Sequence, residues 1–391
     1  MLVEKMDSRT QATIACNSNR KSTSVAHEVL NRVEPKSTDK TTLWKRFVFD
    51  PAGLIPPAEP IYDGLLAKGD LAVYLGREKH RKSSVLLQFA ICAALGRPFL
   101  HFKFHGAKPL KVVLLDYESK SQTLKLRYAS VVEALGLSVA EQEILRNSLQ
   151  LVEMRKAFRA GVKHSRFPVR PEKGREAEFD QAEQDWRGFI RGMPADLYII
   201  DPMRCMHAQG ENDSTLEALL TRVHELFGDA AVVISHHLRK RDRRADKQRS
   251  LKGDMRVWAD EARGSSAITA HSDVIICQER TVEDGIEILH LGAYSRDSDD
   301  IEPLMLRESA PNSFFWEVAP DVPLDLFPCV DELKRTGQEF PNKAAAVKFL
   351  MTTIGSGRTT SYSRLNELLH RKILVQRDGV IKMGESLAEV P

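Results

Sequence analysis

Short apolar runs separated by helical patterns constrain this chain more than any other feature of its sequence. The clearest runs have four or five consecutive apolar residues and begin at Leu71, Val112, Leu197, Ala231 and Val274. Weaker runs begin at Leu149 and Ile286. Runs of this length suit strands that are buried on both faces. Because they alternate with helical segments, the sequence predicts an α/β fold with a mostly parallel sheet.

The carboxyl ends of these strands are the expected position of a functional site. Open parallel sheets bind their ligands there. The loops of interest therefore follow Leu75, Leu115, Ile200 and Ile234, and each carries a polar or charged side chain within its first three residues.

The first strand leads into a candidate phosphate loop. Residues 76–83 read Gly-Arg-Glu-Lys-His-Arg-Lys-Ser, which has the spacing G-x-x-x-x-G-K-[ST] between a strand and a helix. In such a loop, backbone N–H groups and a lysine hold phosphates, and a serine hydroxyl completes a Mg²⁺ shell. The pattern predicts binding of ATP with Mg²⁺. The residues assigned to the nucleotide are Gly76, Lys79, His80, Arg81, Lys82, Ser83 and Ser84, with Ser83 also a metal ligand.

Arg81 departs from the pattern, because it stands where the second glycine is expected. A bulky residue in a strained backbone conformation costs about 1–3 kcal/mol, which is tolerable if neighbouring structure fixes the loop. The positive charges of Lys79, His80 and Arg81 would favour an anion. The alternatives are a basic loop without a ligand, or a nucleotide site that has lost its activity.

Three further side chains follow the other strands. Glu118 ends the second strand and is a candidate base for activating water, with a solvated acidic loop as the alternative. Asp201 ends the third strand, where a Walker B carboxylate orients Mg²⁺. His236 ends the fourth and could bond the γ-phosphate, with a structural role as the alternative.

Taken together, these motifs resemble the RecA-like hexameric ATPases of the plasmid replicative helicase RepA type, which include ATPases of phages and mobile elements. The resemblance covers roughly residues 60–290. The segments that carry it are 76–84, 115–118 with Arg127, 200–207, 211–213, 235–240 and 263–267.

The resemblance implies a RecA-like P-loop NTPase core and a role for each residue of the site. Lys82 and Ser83 would bind phosphate and magnesium, and Asp201 would be the Walker B acid. Glu118 would be the catalytic base and His236 the sensor of the γ-phosphate.

It also implies partners. Arg263, before Gly-Ser-Ser, would be an arginine finger that reaches a neighbouring subunit, which requires a homo-oligomeric ring; the alternative is local pairing. The basic loop 239–256 would face the ring's channel and bind the backbone of single-stranded DNA. A flexible solvated loop is the alternative.

The composition changes along the chain in a way that predicts three parts. Residues 1–42 are rich in Ser, Thr, Asn, Lys and Arg and read as a mobile segment or a partner-binding arm. Residues 43–320 form the ATPase core, with an insertion or long loop near 155–190. Residues 321–391 show two helices and a hairpin, which suggest a winged-helix-like domain or a structural cap.

Bulk properties limit the class of protein. A net charge of +3 does not mark a strongly basic nucleic-acid binder. The five cysteines include no C-x-x-C pair, which favours a reducing compartment over a disulfide framework or zinc site. The start of the chain lacks an apolar run, and residues 84–95 are too few to span a bilayer. We therefore expect a cytoplasmic protein without a membrane partner.

Two functions fit the sequence. The first is an ATP-driven, helicase-like motor on DNA, in replication or maintenance of a mobile element. The alternative is a nucleotide-binding, weakly hydrolysing regulator or adaptor that binds DNA or a protein. Arg81 favours the alternative, and the presence of Lys82, Glu118, Asp201 and His236 favours the motor.

Overall fold

The structure is a computed structural model that describes residues 59–384, apart from 161, 163–165, 208–211, 239–249, 263–264, 284, 297 and 311. The described residues belong to one compact unit, Ala58–Pro391. The predicted mobile segment 1–42 lies outside them. None of the described helices combines the length and apolar character needed to cross a membrane.

The strands predicted to begin at Leu71, Val112, Leu149, Leu197, Ala231, Val274 and Ile286 are all present. The strands are β1 (Pro60–Tyr62), β2 (Leu66–Ala67), β3 (Leu71–Gly76), β4 (Val112–Asp116), β5 (Leu149–Glu153), β6 (Leu197–Asp201), β7 (Ala231–His237), β8 (Val274–Glu283), β9 (Ile286–Ser295), β10 (Ile301–Glu308), β11 (Trp316–Val318), β12 (Leu374–Arg377) and β13 (Val380–Met383). The helices are α1 (Lys82–Leu95), α2 (Ser121–Ala134), α3 (Val139–Ser148), α4 (Met154–Arg159), α5 (Glu176–Gly192), α6 (Met203–Met206), α7 (Asp213–Phe227), α8 (Met255–Ala259), α9 (Ser265–His271), α10 (Phe327–Thr336), α11 (Lys343–Ile354) and α12 (Arg358–His370).

A mixed sheet in the order β11-β10-β9-β8-β3-β7-β6-β4-β5 forms the centre of the molecule. The six strands from β8 to β5 in this order run parallel, which confirms the predicted α/β fold with a largely parallel sheet. Strands β9, β10 and β11 extend the sheet in antiparallel fashion. Two residues separate β8 from β9 in the chain, and so short a connection allows only a hairpin.

The apolar side chains of the parallel strands alternate between two cores. Val233 packs on the face that carries α1, whereas Ile234 packs on the opposite face with α7. Helix α1 is buried along nearly its whole length, as expected for a helix between the sheet and the flanking elements. Its Gln88 exchanges two hydrogen bonds of 2.8 Å with the backbone of Trp316 in β11, so the antiparallel extension is tied to this helix.

The segment near 155–190, for which the polar composition suggested an insertion or a long loop, contains regular helices. It contains α4 and the long helix α5, in which Ala182 and Trp186 are buried. Within α5, these two residues and the neighbouring Phe189 and Ile190 contact the core, so the apolar stripe of the helix is narrow among many charged residues. The amphipathic pattern was therefore easy to overlook.

The C-terminal residues form helices α10, α11 and α12 followed by the β12–β13 hairpin. The hairpin turns at Asp378 and Gly379, which both have positive φ, in agreement with the predicted Asp-Gly turn. Helix α10 was not predicted. These elements share an apolar cluster of their own, which also includes Ile288 of β9.

Candidate active site

The carboxyl ends of β3, β4, β6 and β7 surround a cavity of about 420 Å³. In the parallel register, Asp116 is paired with Asp201, and Gly76 with His237, so side chains far apart in sequence end at one edge. The residues that line the cavity are Lys79, His80, Arg81, Lys82, Ser83, Ser84, Glu118, Arg127, Asp201, His237 and Arg280.

The loop between β3 and α1 has the backbone of a phosphate loop. Arg81 precedes the helix with φ 64°, and Lys79 has φ 62°, so two side-chain-bearing residues lie in the left-handed region. Glycine is favoured there because it lacks a Cβ. Gly76 is required for a different reason, since a Cβ at this position would lie 2.9 Å from both the Gln278 carbonyl oxygen and the Lys82 Cδ.

The side chain of Arg81 is fixed by a carboxylate on β9. Its Nε and Nη2 donate to the two oxygens of Glu287 at 2.7 and 3.2 Å. Glu287 also accepts from Arg280 at 2.8 Å. A bidentate pair of this kind supports the strained turn from outside the loop. It also leaves two guanidinium groups for one carboxylate, so the local charge stays positive beside the cavity.

Lys82 is 5% exposed and closes the loop from within. Its Nζ donates to the carbonyl oxygens of Gly76 at 2.7 Å and Arg77 at 3.0 Å, and it lies 2.9 Å from Nδ1 of His237. Burial lowers the pKa of Lys82 to about 8, against the opposing effect of Asp201. The ammonium group is therefore held at the mouth of the loop, where phosphate oxygens are bound in this type of site.

His237, and not His236, faces the cavity. Alternate residues of a strand point to opposite faces. His236 is fully buried, on the face of Ile234 that is opposite to α1, whereas His237 lines the cavity. Burial, followed by the charge of Lys82, lowers the pKa of His237. A neutral ring whose Nδ1 accepts from the Lys82 ammonium carries its proton on Nε2, which is then a hydrogen-bond donor.

The turn after β4 presents Glu118 to the cavity. The Asp116 carboxylate accepts from the backbone N–H groups of Glu118 at 2.9 Å and Ser119 at 2.6 Å, which fixes the turn. Desolvation, followed by the charge of Asp201, raises the pKa of the Glu118 carboxyl. A raised pKa makes this carboxylate a better acceptor of a proton from water.

Asp201 and Ser83 supply oxygen donors to the same cavity. The Asp201 carboxylate accepts a hydrogen bond from Ser235 in the neighbouring strand, which orients it. Among the described residues, no group of three or more His, Cys, Asp or Glu side chains could hold a metal by itself. A hydroxyl and one carboxylate fit Mg²⁺, which takes few protein ligands and completes its octahedron with water and phosphate oxygens.

Two residues of the cavity had no role assigned from sequence. Arg280 on β8 lines the cavity, and its partner Glu287 lies in the adjacent antiparallel strand. No local sequence motif indicated a role for Arg280. Arg127 also lines the cavity and donates to Ser119 at 3.2 Å; it belongs to the motifs of the resemblance, which gave the only signal.

Two sequence predictions fall largely outside the described residues, namely Arg263 and residues 239–249 of the basic loop. The remainder of that loop, 250–256, leads through a turn into α8. There, Arg256 pairs with Asp300 at 2.6 Å and lies 4.5 Å from the centroid of the Tyr294 ring. This arginine is therefore engaged within the fold.

A comparison with known proteins identifies the family of the chain. The AAA_25 family, described as an AAA domain, matches residues 40–243, slightly more than half of the 391 residues. No curated protein is significantly similar to the chain. Among solved structures, a KaiC-like protein from the hyperthermophilic archaeon Pyrococcus horikoshii OT3 is similar at 12% identity and a TM-score of 0.42, over 68% of this chain and 98% of that one.

An AAA P-loop domain generally takes ATP with Mg²⁺. With its phosphate loop at the edge of a largely parallel sheet, the chain belongs to the AAA_25 family of P-loop ATPases.

Proposed function

We propose that the protein hydrolyses ATP and uses the energy as a helicase-like motor on single-stranded DNA, of the plasmid RepA type, in replication or maintenance of a mobile element. The observation that carries the proposal is the convergence of Lys82, Ser83, Glu118 and Asp201 on one cavity. These side chains come from three different loops, so their meeting is not a consequence of sequence proximity.

Each side chain has a chemical role in this proposal. Lys82 supports the β- and γ-phosphates, and Glu118 accepts a proton from the attacking water. Nε2–H of His237 donates to a γ-phosphate oxygen, so the sensor role moves from His236 to its neighbour. Ser83 and Asp201 would hold Mg²⁺, which neutralises developing charge on the phosphates when it is bound.

The partners are also proposals. Residues 239–256 are rich in Arg and Lys, which suits the phosphate backbone of single-stranded DNA. A homo-oligomeric ring would bring Arg263 of one subunit to the ATP of its neighbour. Helices α10–α12 with the β12–β13 hairpin fit a winged-helix-like domain over residues 321–391, a fold often used to bind DNA or protein.

ATP turnover, measured with and without single-stranded DNA, tests the proposal. We expect wild-type turnover to rise on addition of DNA. Lys82→Ala should abolish turnover, because the phosphates lose the ammonium group of Lys82. Lys68→Ala is the matched control, since Lys68 is exposed and pairs with Glu59 outside the cavity. A wild-type protein that binds ATP without turning it over would contradict the motor.

The second candidate, a weakly hydrolysing regulator or adaptor, is favoured by one observation. Arg81 occupies the left-handed turn where a glycine would let the backbone approach phosphate most closely. Tight ATP binding with no turnover in either condition would support this candidate. Failure to bind ATP at all would contradict both.

A further inference from the structure

A second cavity, of about 550 Å³, lies beside the ATP site at the carboxyl ends of β4, β5 and β6. We call it the arginine pocket. It shares none of its lining residues with the nucleotide cavity. The residues that line it are Tyr117, Met154, Arg155, Phe158, Arg159, Arg166, Arg204, Cys205 and His207.

The charge of the arginine pocket is strongly one-sided. Four of its lining residues are arginines, and within the described part of the chain no aspartate or glutamate lines it. All four arginines are exposed to solvent. Guanidinium groups bind phosphate oxygens through paired N–H donors. A ligand of this pocket is therefore an anion, and several phosphates suit it better than one.

The arginine pocket also offers an aromatic surface. Phe158 on α4 is 48% exposed, and the Arg166 guanidinium lies 5.4 Å from the centroid of its ring. Because nearly half of Phe158 stays exposed beside this cation, a flat group can reach the ring from the solvent side. Nucleic-acid bases stack on such rings irrespective of sequence, because every base has a π-face.

The arginine pocket touches the catalytic carboxylate of the neighbouring site. The Cys205 Sγ lies 3.8 Å from a carboxylate oxygen of Glu118, and Arg155 donates to the Glu118 backbone carbonyl at 2.9 Å. A ligand that binds Arg155 would therefore compete with its hydrogen bond to Glu118 and affect the turn that carries this residue.

We propose that the arginine pocket binds one nucleotide unit of single-stranded DNA, with the base on Phe158 and the flanking phosphates on Arg159 and Arg166. A site for a free mononucleotide would enclose its ligand, because small-molecule sites bury most of the surface of the ligand. The exposed arginines and Phe158 instead suit a polymer that crosses the surface. The inference deepens the proposed function and rests on it for the identity of the polymer.

Binding of fluorescent oligothymidylate to the full-length protein, followed by anisotropy, tests the pocket. We expect Phe158→Ala and Phe158→Leu to weaken binding about tenfold, because stacking on the ring is lost. Phe158→Tyr keeps the ring and should bind like the wild type. Arg159→Ala should weaken binding and reduce the slope of affinity against salt by about one. Arg146→Ala is the matched control, because Arg146 is exposed and lies outside the pocket.

Three results would overturn the proposal that the arginine pocket binds single-stranded DNA. The first is wild-type affinity in Phe158→Ala and Arg159→Ala. The second is equal affinity of Phe158→Leu and Phe158→Tyr, which would exclude stacking. The third is competition by thymidine monophosphate as strong as that by the oligomer, which would make a mononucleotide the ligand. Binding of a fluorescent ATP analogue in the same preparations separates the two claims. Oligomer binding that depends on Phe158, without ATP binding, would retain the pocket and contradict the proposed ATPase.

Discussion

Arg81 holds a backbone conformation that phosphate loops usually give to glycine. Its φ is 64°, and its guanidinium is anchored on Glu287, 206 positions further along the chain. The sequence indicated that neighbouring structure must fix this strained turn. The structure shows that the Glu287 carboxylate does so. No sequence pattern could have named Glu287, because the pairing of β8, β9 and β3 brings it to the loop.

This position gives a prediction about stability. Arg81→Gly and Arg81→Ala both lose the pair with Glu287, so they differ only in the Cβ carried by the left-handed residue. We expect the alanine variant to have a free energy of unfolding about 1 kcal/mol lower than the glycine variant. Urea unfolding of the two proteins measures the difference. Equal stabilities would mean that residue 81 does not hold a positive φ.

Of the two histidines at the end of β7, the sequence did not show which one faces the cavity. The sequence identified the correct strand end, but adjacent histidines point to opposite faces and the pattern alone did not fix which faces α1. His237 contacts Lys82, whereas His236 is fully buried. Ser235 donates to Asp201 and shares the face of His237, so a polar residue two positions earlier was the available signal.

At the scale of elements, the parallel strands and the hairpin turn were predictable, because buried runs and an Asp-Gly pair are local signals. The antiparallel pairing of β9, the strands β10 and β11, and the helices α5 and α10 were not. Few apolar residues of α5 are buried, and the partners of the antiparallel strands could not be read from local signals. The arginine pocket was not predicted either, since Phe158 and Arg166 follow β5, whereas Arg204 follows β6, and only the pairing of the strands brings them together.

Helix α5 is part of the core and not a loose insertion, which predicts the effect of one substitution. Trp186 is 3% exposed, packs on Phe167 and Phe227, and donates from its indole nitrogen to the Arg166 carbonyl at 3.1 Å. We expect Trp186→Ala to lower the free energy of unfolding by about 3–5 kcal/mol. Arg187→Ala, on the exposed face of the same helix, should change it by less than about 0.5 kcal/mol. Equal effects in thermal unfolding would place α5 outside the core.

The β8–β9 pair predicts a dependence of stability on pH. His290 is 1% exposed, and among the described residues its Nδ1 has no hydrogen-bond partner. Burial lowers the pKa of His290 to about 4. Between about pH 6.5 and 4 the unfolded chain therefore binds a proton that the folded chain does not, and stability falls as pH falls. His290→Gln should reduce this fall when unfolding is measured across that range; an unchanged slope would contradict a neutral buried ring.

For the whole molecule, the proposed ring, with Arg263 acting in trans, predicts complementation between inactive subunits. Glu118→Gln and Arg263→Ala proteins should each be nearly inactive. In a ring of both, a subunit with intact Glu118 can face a neighbour with intact Arg263. Co-expression in equal amounts should therefore restore roughly a quarter of wild-type turnover, since half of the sites have the base and half of their neighbours have the finger. A mixture as inactive as its components would contradict action in trans.

In the proposed function, the edge of the sheet that gathers Lys82, Glu118 and Asp201 hydrolyses ATP. Steady-state turnover of Glu118→Gln at saturating ATP and Mg²⁺, compared with that of the wild type, tests this proposal. We predict a turnover at least about 100-fold lower, because a positioned general base contributes about 10²–10⁴-fold. Turnover within about threefold of the wild type would contradict the account.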